Sequence, residues 1–127
     1  MTGANMAVMA TSVLIIDDDP KFRELAERLL TAVNLEVVGH ADSVGAAMSA
    51  ARALEPDAAL VDVELPDGDG ISLARQLAAL PWGPRVLLTS IDADAASPDD
   101  VRRSGASGFV YKGELPNVPL GRLLARE

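Results

Sequence analysis

Apolar residues fall along the chain in short runs that alternate with helical stripes. Val13-Leu14-Ile15-Ile16 is a run stopped by Asp17-Asp18-Asp19-Pro20. A short β-branched run followed by turn residues predicts a buried strand. Phe22, Leu25, Ala26, Leu29, Leu30 and Val33 then recur at the spacing of an amphipathic helix. Asp19 is its expected N-cap and Pro20 its first residue, where a missing N–H is tolerated. Glu36 to His40 predicts a second strand, and Ser43 caps a helix with Val44, Ala47, Met48, Ala51 and Leu54 on one face. Pro56-Asp57 breaks that helix, and Ala58 to Val61 predicts a third strand ending at Asp62. Asp69-Gly70 opens a helix carrying Ile71, Ala74, Leu77 and Ala78, stopped near Pro81. Arg85 to Leu88 is a fourth strand, ending at Thr89-Ser90. Ser97-Pro98 opens a short helix to Arg103, which Gly105 ends. Gly108 to Tyr111 is a fifth strand, and Leu120, Leu123 and Leu124 mark a short last helix.

Five strands alternating with five helices predict an α/β fold, a parallel sheet covered on both faces. Right-handed crossovers make it doubly wound, with functional residues beyond the carboxyl ends of the strands. Residues 1–12 read as a disordered leader and 13–127 as one domain, which suits a chain of 127 residues.

Charge narrows the function. Lys+Arg 11 against Asp+Glu 19 leaves −8, without the basic footprint of a nucleic-acid binder or of a membrane-surface helix. No apolar run approaches a membrane span, and no Lys or Arg precedes Ser12, so the leader lacks the charged start of a signal peptide. Cysteine is absent, which excludes a disulfide scaffold or a thiolate metal site. A cytoplasmic domain without direct DNA or membrane contact is expected.

Asp17, Asp18, Asp62, Thr89 and Lys112 all stand just past strand ends. Each has a bland reading alone: helix cap, turn former, surface hydroxyl or surface amine. Their joint position brings three carboxylates, a hydroxyl and an ammonium to one edge of the sheet. Crowded carboxylates repel unless a cation sits among them. Mg²⁺, a hard ion that binds one or two carboxylates and keeps waters, suits such a set. The lysine adds fixed positive charge, and the threonine offers a donor to an oxygen anion. Such an arrangement suits phosphoryl transfer, where catalysis is positioning and charge neutralisation.

Four stretches resemble the receiver domain of two-component response regulators: Leu-Ile-Ile-Asp-Asp-Asp-Pro at 14–20, Leu-Val-Asp-Val-Glu-Leu-Pro-Asp-Gly-Asp-Gly at 60–70, Leu-Leu-Thr-Ser at 87–90, and Gly-Ala-Ser-Gly-Phe-Val-Tyr-Lys at 105–112. The resemblance covers Val13 to about Arg126. It implies a flavodoxin-like, CheY-like (βα)5 fold with strand order 2-1-3-4-5. It implies Asp62 as phospho-acceptor, Asp18 as direct metal ligand, and Asp17 as a ligand through water. The Glu64 backbone carbonyl completes the Mg²⁺ shell, and Mn²⁺ is an acceptable substitute. Thr89 bonds the phosphoryl oxygen, Lys112 pairs with Asp62 at rest, and Phe109 is the switch aromatic. The implied partners are a sensor histidine kinase and, through the face of the fourth helix, fifth strand and fifth helix, a downstream protein or a second copy in a homodimer. The implied output is binding, often control of transcription, with self-catalysed phosphorylation and dephosphorylation rather than enzymatic turnover.

Two features depart from the family pattern. Gly113 follows Lys112 where many members have proline, which predicts a looser loop. Residues 91–104 hold only Ile91 and Val101 as large aliphatics, which predicts a short or mobile fourth helix. Other motifs are weaker. Asp67-Gly68-Asp69-Gly70 invites a calcium loop, but Pro66 falls where a ligand is needed, so Asp69 reads as a helix cap. His40, the single histidine, reads as structural or surface; Tyr111 and Trp82 read as packing residues; Arg102 and Arg103 read as a solvated helix face. Two other functions compete. One is a receiver-like interaction module that works without phosphorylation. The other is a Mg²⁺ phosphohydrolase with an aspartyl nucleophile, disfavoured because Asp62-Val63-Glu64-Leu65-Pro66 lacks the second Asp and the Thr of D-x-D-x-T.

Overall fold

The computed structural model describes residues 10–125. The elements run β1 (Ser12–Ile16), α1 (Pro20–Ala32), β2 (Glu36–Ala41), α2 (Val44–Leu54), β3 (Ala58–Asp62), β4 (Glu64–Leu65), β5 (Gly68–Asp69), α3 (Gly70–Ala78), β6 (Arg85–Ser90), α4 (Pro98–Ser104), β7 (Gly108–Tyr111) and α5 (Leu120–Leu124), with a 3-10 helix at Lys112–Asn117. The main sheet is parallel, in the order β2-β1-β3-β6-β7. With the small β4–β5 ribbon set aside, that is the expected order 2-1-3-4-5. Most of the leader assigned to residues 1–12 lies outside the described residues; Ser12 already belongs to β1.

Each central strand is apolar on both faces because each face has its own layer of helices. Val13, Ile15, Ala58, Leu60 and Leu87 point to one side, where Phe22, Ala26 and Leu30 of α1 and Leu120 and Leu124 of α5 cover them. Leu14, Ile16, Ala59, Val61, Val86 and Leu88 point to the other, against Ala47 and Ala51 of α2 and Leu73, Ala74 and Leu77 of α3. Burying each of these larger side chains is worth roughly 1.5–3 kcal/mol. The strand ends are thereby anchored to a core that has little freedom to shift.

The four caps read from the sequence all form. Asp19, Ser43, Asp69 and Ser97 accept hydrogen bonds from the amides of Lys21, Ala46, Ile71 and Asp100. α4 is short, as its low apolar content predicts, and its Ser97 and Asp100 form a reciprocal capping box. Two elements go beyond the sequence reading. The stretch between Asp62 and α3 folds as an antiparallel ribbon, pairing Glu64 with Asp69 and Leu65 with Gly68. The segment after Lys112 is a 3-10 helix with Leu115 fully buried, in place of the looser loop expected from Gly113. A Cβ at Gly113 would lie 2.5 Å from Cε2 of Tyr111, a contact that the exposed Tyr111 ring would have to turn away to relieve.

Candidate functional site

The site lies where β1, β3, β6 and β7 end. Asp17 and Asp18 follow β1, Asp62 closes β3, Thr89 pairs with Asp62 in register on β6, and Lys112 follows β7. One carboxylate oxygen from each of Asp17, Asp18 and Asp62 lies within 4.8 Å of the others. Asp17 is 1% exposed and Asp62 5%, whereas Asp18 is open to solvent. The backbone holds Asp17 firmly: its amide donates to the Ala41 carbonyl at 2.9 Å, and its Oδ1 accepts from the Asp19 amide at 2.8 Å. Arg23 also donates to the Asp17 carbonyl. Asp62 Oδ1 accepts from the Glu64 amide at 3.2 Å.

Lys112 is oriented from three sides. Its Nζ is 2.6 Å from Asp17 Oδ2, 3.5 Å from Asp62 Oδ2 and 4.3 Å from the centre of the Phe22 ring. The closer partner at rest is thus Asp17, with Asp62 second, where the sequence reading pairs the lysine with Asp62. The sequence places Phe22 only on the helix stripe, yet the ring also lies beneath the ammonium. A cation over an aromatic face is worth roughly 0.5–2 kcal/mol, the upper end when desolvated, and the Lys112 side chain is only 12% exposed. Nothing in the periodicity of α1 signals this contact.

Burial is the largest influence on Asp62 and pushes its pKa up to about 6; the Glu64 amide opposes that shift, the Asp17 charge adds to it, and Lys112 lowers it again. Thr89 Oγ1 is buried with no hydrogen-bond partner among the described residues, which leaves a donor for an arriving oxygen anion. Phe109 is half-buried at the edge of the helix-covered core. The donor set offers hard oxygens only, and three clustered carboxylates, two of them beside Lys112, fit a small divalent cation better than a transition metal.

The remaining candidates fall outside the cluster. His40 Nε2 is 2.6 Å from Glu27 Oε1. Trp82 Nε1 donates to the Pro56 carbonyl at 2.9 Å. Tyr111 is exposed beside Gly113. Arg102 and Arg103 form ion pairs with Asp99 on the exposed side of α4. Asp69 caps α3, as the loop reading expects.

The family profile of the response regulator receiver domain matches residues 13–118. DevR/DosR of Mycobacterium tuberculosis, a DNA-binding transcriptional activator, is 42% identical over 112 residues, covering 87% of this chain and 51% of that protein. The response regulator GacA of Pseudomonas viridiflava is 32% identical over 80% of this chain and 48% of its own length. The chain therefore spans about half the length of these relatives. Among solved structures, the receiver domain of the putative response regulator NarL from Mycobacterium tuberculosis matches with a TM-score of 0.76 and 32% identity, over 94% of this chain and 100% of that one. No helix among the described residues is long and apolar enough to cross a membrane. By sequence profile, by relatives and by fold, the chain belongs to the response regulator receiver domain family.

Proposed function

We propose that the chain is a phosphorylation-dependent switch of a two-component system, which accepts a phosphoryl group from a sensor histidine kinase on Asp62. The observation that carries this reading is a buried acceptor carboxylate, Asp62, set beside Asp17, Asp18, Lys112 and Thr89 at one sheet edge. A carboxylate oxygen of Asp62 attacks phosphorus as the bond from phosphorus to the donor imidazole nitrogen breaks. The bonding electron pair stays on that nitrogen, and an acyl phosphate forms. Asp17, Asp18, Asp62 and the Glu64 carbonyl would hold Mg²⁺ or, in its place, Mn²⁺. When bound, the ion neutralises charge between acceptor and phosphoryl oxygens. Lys112 supplies the second positive charge and turns from Asp17 to the phosphoryl group. Thr89 donates its free hydroxyl to a phosphoryl oxygen, and Phe109 changes its burial as Thr89 moves. The face of α4, β7 and α5 then binds a partner: an output domain, a second copy or a downstream protein, in the cytoplasm. The output is binding, so turnover is limited to the domain's own phosphorylation and hydrolysis. Control of transcription is the reading favoured by the likeness to DevR/DosR, a DNA-binding transcriptional activator.

The test is a titration with Mg²⁺ followed by beryllofluoride, a phosphoryl mimic, read by backbone NMR. Beryllofluoride is expected to shift the amides of Thr89 and Phe109 only when Mg²⁺ is present. Absence of those shifts would overturn the proposal. Lys112→Ala is expected to bind the mimic about tenfold or more weakly, because a charge-assisted partner is worth roughly 1.5–3 kcal/mol. The same variant should bind Mg²⁺ more tightly than wild type, since Asp17 is freed from its 2.6 Å ion pair. Unchanged affinities for both ligands would remove Lys112 from the site.

A further inference from the structure

Asp67 occupies the turn of the β4–β5 ribbon, and both of its carboxylate oxygens are used. Oδ1 accepts from the Val44 amide at 2.7 Å and Oδ2 from the Gly45 amide at 3.1 Å. These are the first two residues of α2, more than twenty positions away in sequence. The next free amide of that helix, Ala46, is taken by the local cap Ser43 at 3.1 Å. The helix terminus is therefore shared between one local cap and one distant one. The fit is close on the ribbon side as well: a Cβ at Gly68 would lie 3.0 Å from Cγ2 of Val44.

The ribbon itself is weak. Two pairs of residues form its whole ladder, and an isolated hairpin of that size has little stability of its own. Yet Glu64, at its base, does two things for the site. Its amide donates to Asp62 Oδ1, and its carbonyl belongs to the proposed metal shell. At its base the ribbon is held by the Val63 amide on the Thr89 carbonyl and the Gly70 amide on the Val63 carbonyl, and Leu65 packs against the core, so what remains to be fixed is the turn at its far end. Among the described residues, the bonds that tie the turn to a rigid element are those of Asp67 to α2.

We infer that Asp67 is a positioning residue for the metal site: it clamps the turn after the acceptor onto α2 and so fixes the aim of Glu64. The inference rests on the function proposed above and deepens it. It separates two roles that a carboxylate at a helix start combines, capping and aiming. Ser43→Ala removes a cap from the same helix without touching the ribbon. Asp67→Ala removes a cap and the clamp together. Asp67→Asn keeps one acceptor oxygen for Val44 and loses the charge.

The experiment measures Mg²⁺ affinity of wild type and the three variants by calorimetry, at a temperature where circular dichroism shows all four folded. Asp67→Ala is expected to bind Mg²⁺ about tenfold or more weakly, the usual size of a loss when a residue behind a metal ligand is removed. Asp67→Asn should fall between it and wild type. Ser43→Ala should match wild type in Mg²⁺ affinity even though its melting temperature falls. Equal Mg²⁺ affinity in Asp67→Ala and wild type, or an equal loss in Ser43→Ala, overturns the inference while leaving the proposed function standing. A wild-type domain that binds no Mg²⁺ overturns both.

Discussion

Asp62→Asn is expected to abolish phosphorylation and, at neutral pH, to make the metal-free fold more stable. The first effect follows from the loss of the nucleophilic oxygen pair in the acceptor. After incubation with Mg²⁺ and acetyl phosphate, wild type should gain one phosphoryl mass and the variant none. A variant that still gains it would place the acceptor elsewhere. The second effect follows from proton linkage. The folded Asp62 has its pKa raised from the ordinary 3.8 to about 6. Between those values the folded chain keeps a proton that the unfolded chain has lost. Stability from this group is therefore fully present below the unfolded value and falls as pH rises through the folded one. The whole loss is on the order of 3 kcal/mol at most, and it persists above about pH 6. Asparagine has no proton to lose, so the variant should not share that decline. Urea unfolding of both proteins in chelator, followed across the acid range, checks this. Parallel stability curves would show that Asp62 ionises in the fold as easily as in water.

Gly70→Ala is expected to damage the fold and the site together. A helix usually gains from this exchange, by up to about 1 kcal/mol. Here a Cβ would lie 2.0 Å from the Asp62 carbonyl oxygen and 2.7 Å from Val63 Cα, and both are backbone atoms that cannot rotate away. The Gly70 amide also donates to the Val63 carbonyl at 2.7 Å, so α3 starts in direct contact with the acceptor's own strand end. Overpacking of this kind costs roughly 1–3 kcal/mol or more, enough to lower the melting temperature by on the order of 10 °C. Relief requires moving either α3 or the Asp62 backbone, so phosphorylation by acetyl phosphate should slow in whatever fraction stays folded. A variant with wild-type melting and wild-type phosphorylation would show that α3 can shift freely from β3.

Much of this was legible in the sequence because the signals are local. Strand runs such as Val13 to Ile16, and caps such as Asp19 and Ser97, act over a few residues, and the period of the apolar positions reports each element directly. The carboxylates were legible because a parallel sheet brings its strand ends together, whatever the loops do. The rest depended on contacts between distant segments. A ribbon with strands of two residues has no period to read. The 3-10 helix contains Pro116, which reads as an interruption. Phe22 beneath Lys112, and Asp67 on α2, join segments whose proximity is known only once the chain is folded. The preference of Lys112 for Asp17 over Asp62 is a matter of about one ångström, below anything that spacing can resolve.

α4 is held together mainly by itself. Among the described residues, its side-chain bonds stay within 97–106: Ser97 with Asp100, Asp99 with Arg102 and Arg103, and the Ser104 hydroxyl with the Val101 carbonyl and the Ala106 amide. Its attachment to the rest of the domain is instead greasy, through Val101 and the neighbouring Ala96. Directional bonds resist sliding, whereas apolar contact tolerates it with little loss of area. The segment is thus a self-contained cassette on a lubricated seat. Under the proposed function, a signal arriving from Thr89 would therefore be carried by displacement of the segment as a unit, with its internal bonds kept, and not by melting a helix.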